Sequence, residues 1–234
     1  MAAPSGMTVK TLEGTFILNK TFSDSLDSVF TLVGVPSPIL FATPTEMLSA
    51  SKQQQSVPYI IRKILGMATV HLKPSVRPST SSDSSPDSES APLQITMESS
   101  VSKLGPFGVG PLRAAGVETT RTETRTLDNS EYERVEPVVG LIKGRYWIST
   151  AEAVADEPVD EFLKGTWGGG DGTNIEVIRA SFKGNEKDVV RAYDAEHVWG
   201  FEKCADGEVR YQGRIFASRG GEKACAMQVY DFLC

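Results

Sequence analysis

Leu12-Glu-Gly-Thr-Phe-Ile-Leu-Asn-Lys20, then Phe22-Ser-Asp-Ser-Leu-Asp-Ser-Val-Phe-Thr-Leu-Val-Gly-Val35, then Tyr59-Ile-Ile-Arg-Lys-Ile-Leu-Gly-Met-Ala-Thr-Val-His71 decide the fold. The first run alternates Leu12, Gly14, Phe16 and Leu18 against polar or mixed neighbours, the pattern of a half-buried strand. In the second, Leu26, Val29, Phe30 and Val33 fall at helical spacing, Ser23 or Asp24 is placed to cap, and Gly34 stops the turn. In the third, Pro58 suits a first helical turn, Ile60, Ile61, Ile64 and Leu65 make an apolar face, and Gly66 ends it before a second strand, Met67 to Lys73. Strand, helix, helix, strand followed by a β-patterned remainder predicts a barrel with a two-helix lid and a cavity for one apolar small molecule.

Working outward, residues 36–57 carry prolines and Gln53-Gln-Gln55, and residues 75–92 are rich in Ser, Pro, Asp and Glu. Both read as flexible insertions with little to bury. The β pattern resumes at Leu93–Lys103 and Val117–Asp128, where Thr120, Thr122, Thr124 and Thr126 alternate with Arg121, Glu123 and Arg125. That charged row reads as a solvated face, because unpaired buried charges are costly. Val135–Ser149 adds one or two strands, Ala151–Leu163 is an acidic, mildly helical connector, and Gly165–Gly172 is a glycine loop holding Trp167. Four strands close the chain, Asn174–Lys183, Val189–Lys203, Glu208–Ser218 and Glu222–Leu233, with turns at Ala205-Asp-Gly207 and Arg219-Gly-Gly221. The expected fold is mainly β: a closed antiparallel β-barrel of about ten strands, one domain over residues 1–234, with the lid between strands 1 and 2.

Composition narrows the function. A net charge of -6 with dispersed basic residues argues against nucleic acid as a partner. No window approaches the ~20 apolar residues of a membrane span, and no basic start precedes an apolar run. A cytoplasmic location is expected. Cys204, Cys225 and Cys234 show no pairing pattern, and His71 and His197 have no cysteine neighbours at ligand spacing, so neither a disulfide framework nor a metal site is expected. Gly168-Gly-Gly-Asp-Gly172 lacks the Lys-Ser/Thr of a phosphate cradle, and no nucleophile elbow occurs.

The residues Gly14-Thr-Phe16, the helical Phe22–Val35, Arg62-Lys-Ile-Leu-Gly-Met67 and the closing Val229-Tyr230 resemble the intracellular lipid-binding proteins, calycin-type barrels that carry fatty acids and retinoids. Those carriers hold a carboxylate with an Arg two positions before the terminal Tyr. Gln228 stands there, a neutral side chain that offers no charge to a buried anion. A closer likeness is to fungal lipocalin-like proteins. It rests on Leu12-Glu-Gly-Thr15, Asn19-Lys20, Arg62-Lys63, Gly66-Met-Ala-Thr-Val70 and Thr122-Glu-Thr-Arg-Thr-Leu-Asp128. This resemblance implies a cofactor-free hetero-Diels-Alderase of secondary metabolism, joining a polyketide tropolone-derived quinone methide to a humulene-type sesquiterpene. A non-catalytic carrier, or a dehydratase or isomerase on the same barrel, stays open as an alternative.

Such a cyclase needs a shaped apolar chamber and a few polar groups. Along Val189–Lys203 one face carries Arg191, Tyr193, His197, Trp199 and Phe201. Tyr193, Trp199 and Phe201 are candidates to hold apolar substrates, and Arg191 and His197 to donate to an oxygen. Tyr230 is the candidate proton donor, with Gln228 beside it on the same face. Trp147 and Trp167 are weaker substrate-binding candidates.

Overall fold

The β pattern is realised, in a computed structural model of the chain, as one ten-stranded sheet. The structure describes residues 1–33, 68–79, 91–104, 120–136, 140–168, 175–184 and 192–234. The strands are β1 (Phe16–Leu18), β2 (Ala68–Pro78), β3 (Leu93–Leu104), β4 (Thr120–Thr126), β5 (Tyr132–Glu136), β6 (Gly140–Thr150), β7 (Glu176–Lys183), β8 (Asp194–Lys203), β9 (Val209–Arg219) and β10 (Glu222–Phe232). Their order is β4-β3-β2-β1-β10-β9-β8-β7-β6-β5. Every neighbouring pair is antiparallel, and the first strand pairs with the last, Phe16 opposite Phe232 and Leu18 opposite Tyr230.

The sheet is a strongly curled half-barrel whose edge strands, β4 and β5, lie 9 Å apart. The expected closed barrel is corrected to this form. Neighbouring paired strands lie about 4.8 Å apart, and here the side chains of Arg125 and Tyr132 stack across the seam, with the guanidinium 4.3 Å from the ring centroid. A cation–π contact thus spans the gap where a backbone ladder was expected.

The two-helix lid is not shown. Of that lid, one short helix, α1 (Asp27–Leu32), falls among the described residues; the second expected lid helix and the 36–57 insertion lie outside them. Val29, Leu32 and Val33 cluster with Ala195, Ala217, Ala224 and Ala226 of β8–β10, small side chains that leave room for a helix against the sheet. Ser23 and Asp24 do not cap it. The Val229 amide donates to Ser23 Oγ at 2.9 Å and the Met227 amide to Asp24 Oδ2 at 2.9 Å. They satisfy the stretch of β10 that the short β1 leaves unpaired, which is a stronger demand than a helix cap because those groups lie within a sheet.

β2 also runs further than the sequence suggests, through Pro74 to Pro78, so residues 75–78 belong to a strand and only 80–90 of the expected insertion lie outside the described residues. The Val76 amide donates to Leu12 O at 3.0 Å. Nitrogens two residues apart on a strand point the same way, so Pro74 aims its missing donor at the break in β1 beside Gly14. Gly14 has φ 129°, and a Cβ there would sit 2.6 Å from the Phe232 ring. Glycine is required at this bend.

The outer face of β7–β9 is covered by α2 (Ala151–Asp156) and the chain up to Trp167. Glu202 anchors this cover: Arg214 pairs with both its oxygens at 2.8 Å, and the Thr166 amide and hydroxyl donate to it at 2.7 Å. The Asp156-Glu-Pro158 connector is therefore an outer layer. No helix among the described residues is long and apolar enough to cross a membrane.

Phe16, fully buried between the Tyr211 and Phe232 rings at 5.5 and 5.3 Å, joins the two ends of the chain. Phe16→Ala is expected to cost about 3–5 kcal/mol of unfolding free energy, read as a lowered urea midpoint with unchanged slope.

Candidate functional site

Directly opposed residues on neighbouring strands share a face, so the register fixes which side chains look into the curl. One row runs Leu18, Tyr230, Tyr211, Phe201. The next runs Gln228, Gly213, Trp199, Ile178, Ile148, and the third Ala226, Ile215, His197, Ala180, Tyr146. A fourth runs Ala224, Ala217, Ala195, Phe182, Gly144, Tyr132. The concave side therefore brings together Tyr193, His197, Trp199, Phe201, Gln228 and Tyr230. Arg191 lies outside the described residues.

Within this face the rings form a continuous wall. Gly213 seats Trp199, since a Cβ at 213 would stand 2.7 Å from the indole Cδ1 and Nε1. His197 meets Trp199 edge to face at 4.9 Å and Phe182 at 5.0 Å. Tyr146 lies nearly parallel to Trp199 at 6.3 Å and to Tyr132 at 6.1 Å. These offset and edge-on arrangements are the ones ring quadrupoles favour.

The polar groups in the wall are held neutral. Burial drives the His197 pKa down to about 3, and its Nδ1 is buried without a hydrogen bond although the ring keeps partial exposure. The Tyr230 hydroxyl donates to Gln228 Oε1 at 3.1 Å, and burial pushes its pKa up. It is a hydrogen-bond donor that keeps its proton. Burial, and next the nearby Tyr230, raise the pKa of Tyr211, whose hydroxyl is also buried without a partner.

β4 contributes what the sequence reading turned outward. Arg121, Glu123 and Arg125 lie opposite Ser99, Met97 and Ile95, and Ile95 is core, so the charged row faces inward. The solvated-face expectation is corrected, and pairing explains the tolerance: Glu123 Oε1 meets Arg134 Nη1 at 2.8 Å and Arg125 Nε at 3.0 Å, and accepts from the Tyr146 hydroxyl at 3.3 Å. Burial first, then the Glu123 charge, raise the Tyr146 pKa well above its usual value.

Trp147 and Trp167 are not brought to this face. Trp147 lies on the other side of β6 beneath the Arg179 guanidinium, 4.8 Å away. Trp167 is buried on the outer layer with Val154, Leu163, Val177 and Val198, its indole N–H donating to Leu163 O at 3.3 Å. The wall residues sequence reasoning missed are Tyr132, Tyr146 and Phe182. The only signal was alternation in Arg145-Tyr-Trp147, which sends one ring inward without saying which.

Two clefts of about 570 and 530 Å³ meet this face only through Phe201 and Tyr193, one lined by Ala2–Val9 with Phe201 and Val209, the other by Lys183, Tyr193, Asp194 and Arg219 among others. Neither is lined by His197, Trp199 or Tyr230, so the convergent polar groups of the wall, not these clefts, define the candidate site. Among the described residues no group of three or more His, Cys, Asp or Glu side chains converges as metal ligands would. Comparison with protein-family models, curated proteins and solved structures returns no match.

The buried imidazole makes a pH prediction. With a folded pKa near 3 against 6.5 unfolded, the unfolded chain takes up the proton first. The stability contributed by neutral His197 is whole above pH 6.5 and lost as pH falls towards 3, by at most about 1.4 kcal/mol per pH unit. His197→Phe is expected to flatten this part of the acid-unfolding profile, checked by urea melts between pH 4 and 7.

Proposed function

We propose that the concave face receives apolar small molecules and that the chain acts on them as a cofactor-independent cyclase. The reaction is a hetero-Diels-Alder union of a tropolone-derived quinone methide with a humulene-type sesquiterpene. The observation that supports the reading is the unbroken wall of Tyr132, Tyr146, Trp199, His197 and Phe182 containing neutral polar groups. The reaction class itself comes from the sequence resemblance.

Chemistry of this kind asks little of a protein beyond pose and polarisation. Loss of water from a hydroxymethyl precursor breaks one C–O bond; the leaving hydroxyl gains a proton and the ring hydroxyl gives one up, so no net proton comes from the chain. Cycloaddition then forms one C–C and one C–O bond with every atom retained. Trp199 and Tyr146 offer flat surfaces for the conjugated partner, and Phe201 and Tyr193 extend the apolar wall for the terpene. Tyr230, by exchanging Gln228 for the quinone-methide oxygen, would draw electron density from the diene in the transition state. The high pKa suits that role, since a retained proton polarises without transferring.

The test is product yield and stereochemistry with purified protein against buffer. The cyclase gives faster formation of one stereoisomer whose mass is both substrates less one water. A carrier leaves yield and stereochemistry as in buffer, a dehydratase stops at water loss, and an isomerase conserves mass. Tyr230→Phe is expected to lower turnover about ten- to a hundredfold while shifting substrate affinity less than about threefold.

A further inference from the structure

The charged cluster at the β4–β5 seam is not used by the chemistry above, and Arg125 within it is incompletely satisfied. Its side chain enters the curl opposite Ile95. Nη1 donates to Thr124 O at 2.8 Å. Nε lies 3.0 Å from Glu123 Oε1, yet off the axis a hydrogen bond needs, and it is buried without a hydrogen-bond partner. Glu123 Oε1 already serves Arg134 Nη1 at 2.8 Å and the Tyr146 hydroxyl at 3.3 Å.

The Arg125 guanidinium covers the Tyr132 ring, 4.3 Å from its centroid. The Tyr132 hydroxyl is near enough to that of Tyr146 to help raise its pKa, but it is itself buried and makes no hydrogen bond of standard geometry. Buried polar atoms are almost always paired. Two donors without a well-aligned acceptor, one cationic and already ion-paired and one phenolic, lie on the inner face at the end of an aromatic wall and can each serve a further acceptor.

We propose that Arg125 and Tyr132 form the oxygen-binding end of the interior site, taking a carbonyl or enolate oxygen conjugated to a planar ring. The oxygen accepts from the Arg125 Nε–H and the Tyr132 hydroxyl, and the ring that bears it extends along Tyr146 towards Trp199. This rests on the reading of the concave face as a small-molecule site, and it names what the ligand must carry. A pure hydrocarbon leaves both donors unpaired, an ammonium is repelled by the guanidinium, and an oxygen bearing partial or full negative charge satisfies both. Arg125 is thereby a binding and specificity residue.

Tropolone is the probe, with its methyl ether, which has no ionisable hydroxyl, and humulene as comparisons, in calorimetric or tryptophan-quenching titrations of the full chain. The expected result is that tropolone binds more tightly than the ether and that Arg125→Gln weakens tropolone about ten- to a hundredfold. Arg125→Lys, which keeps charge but loses the planar fork, recovers part of the loss. Humulene affinity is expected to stay within about twofold in both variants, showing that the wall is intact. Equal tropolone affinity in Arg125→Gln and the natural chain, with humulene still bound, overturns the assignment of Arg125 and leaves the small-molecule reading standing. A variant that loses humulene as well has lost the wall and overturns it too. If the natural chain binds neither tropolone nor humulene, both readings fail.

Discussion

The pairing of the three-residue strand β1 with β2 on one side and β10 on the other is the constraint on which the rest depends. Phe16 lies opposite Leu72 and Phe232 at once, and a one-residue slip there would turn each of its side chains to the other face. Because β1 is short, β10 outruns it, and Ser23 and Asp24 complete the backbone pairing of residues 227 and 229. Gln228, between them, is on the opposite face, and its orientation into the curl follows from this pairing. The register then passes unbroken through β9, β8, β7 and β6, so the position of Trp199 is linked, pair by pair, to Phe16.

Two environments result, on opposite sides of one sheet. The convex side of β7–β9 is a covered layer in which guanidiniums find carboxylates, half-buried Arg214 with buried Glu202 and buried Arg179 with exposed Glu157. Such pairs are costly to desolvate and costlier to break, so they fix the outer cover without adding a reactive group. The concave side has the opposite character. Away from the Glu123–Arg125–Arg134 ion cluster at the seam its groups are rings and neutral polar atoms, and among the described residues Arg125 Nε, Tyr132 Oη, His197 Nδ1 and Tyr211 Oη are buried there without hydrogen bonds. The proposed reading of this face as a small-molecule site rests on these open donors and acceptors set among rings.

Strand alternation was legible in the sequence wherever turns were clear. The β8–β10 hairpins and the shared face of Tyr193, His197, Trp199 and Phe201 could be read from Ala205-Asp-Gly207, Arg219-Gly-Gly221 and the period of two. Facing was not legible where a strand carried no apolar side. β4 is all Thr, Arg and Glu, so only its pairing with Ile95 and Met97 shows that the charged residues look inward, and only the positions of Arg134 and Tyr146 explain how that is tolerated. Trp147 and Tyr146 are adjacent, and composition favours the larger ring for the wall; the register gave that place to Tyr146. Pro74 read as a terminator because the gap beside it in β1 is a tertiary fact. Ser23 and Asp24 read as helix caps because the unpaired edge they serve comes from the far end of the chain.

The central claim is that the concave aromatic wall receives the small molecule. A crystal structure of the chain with tropolone and humulene tests it most directly. Ligand density lying against Trp199, Tyr146 and His197, with an oxygen within hydrogen-bond distance of a wall donor, is the expected result. Density confined to the outer layer near Trp147 or Trp167, or an interior filled by the chain's own side chains with no ligand, would contradict it.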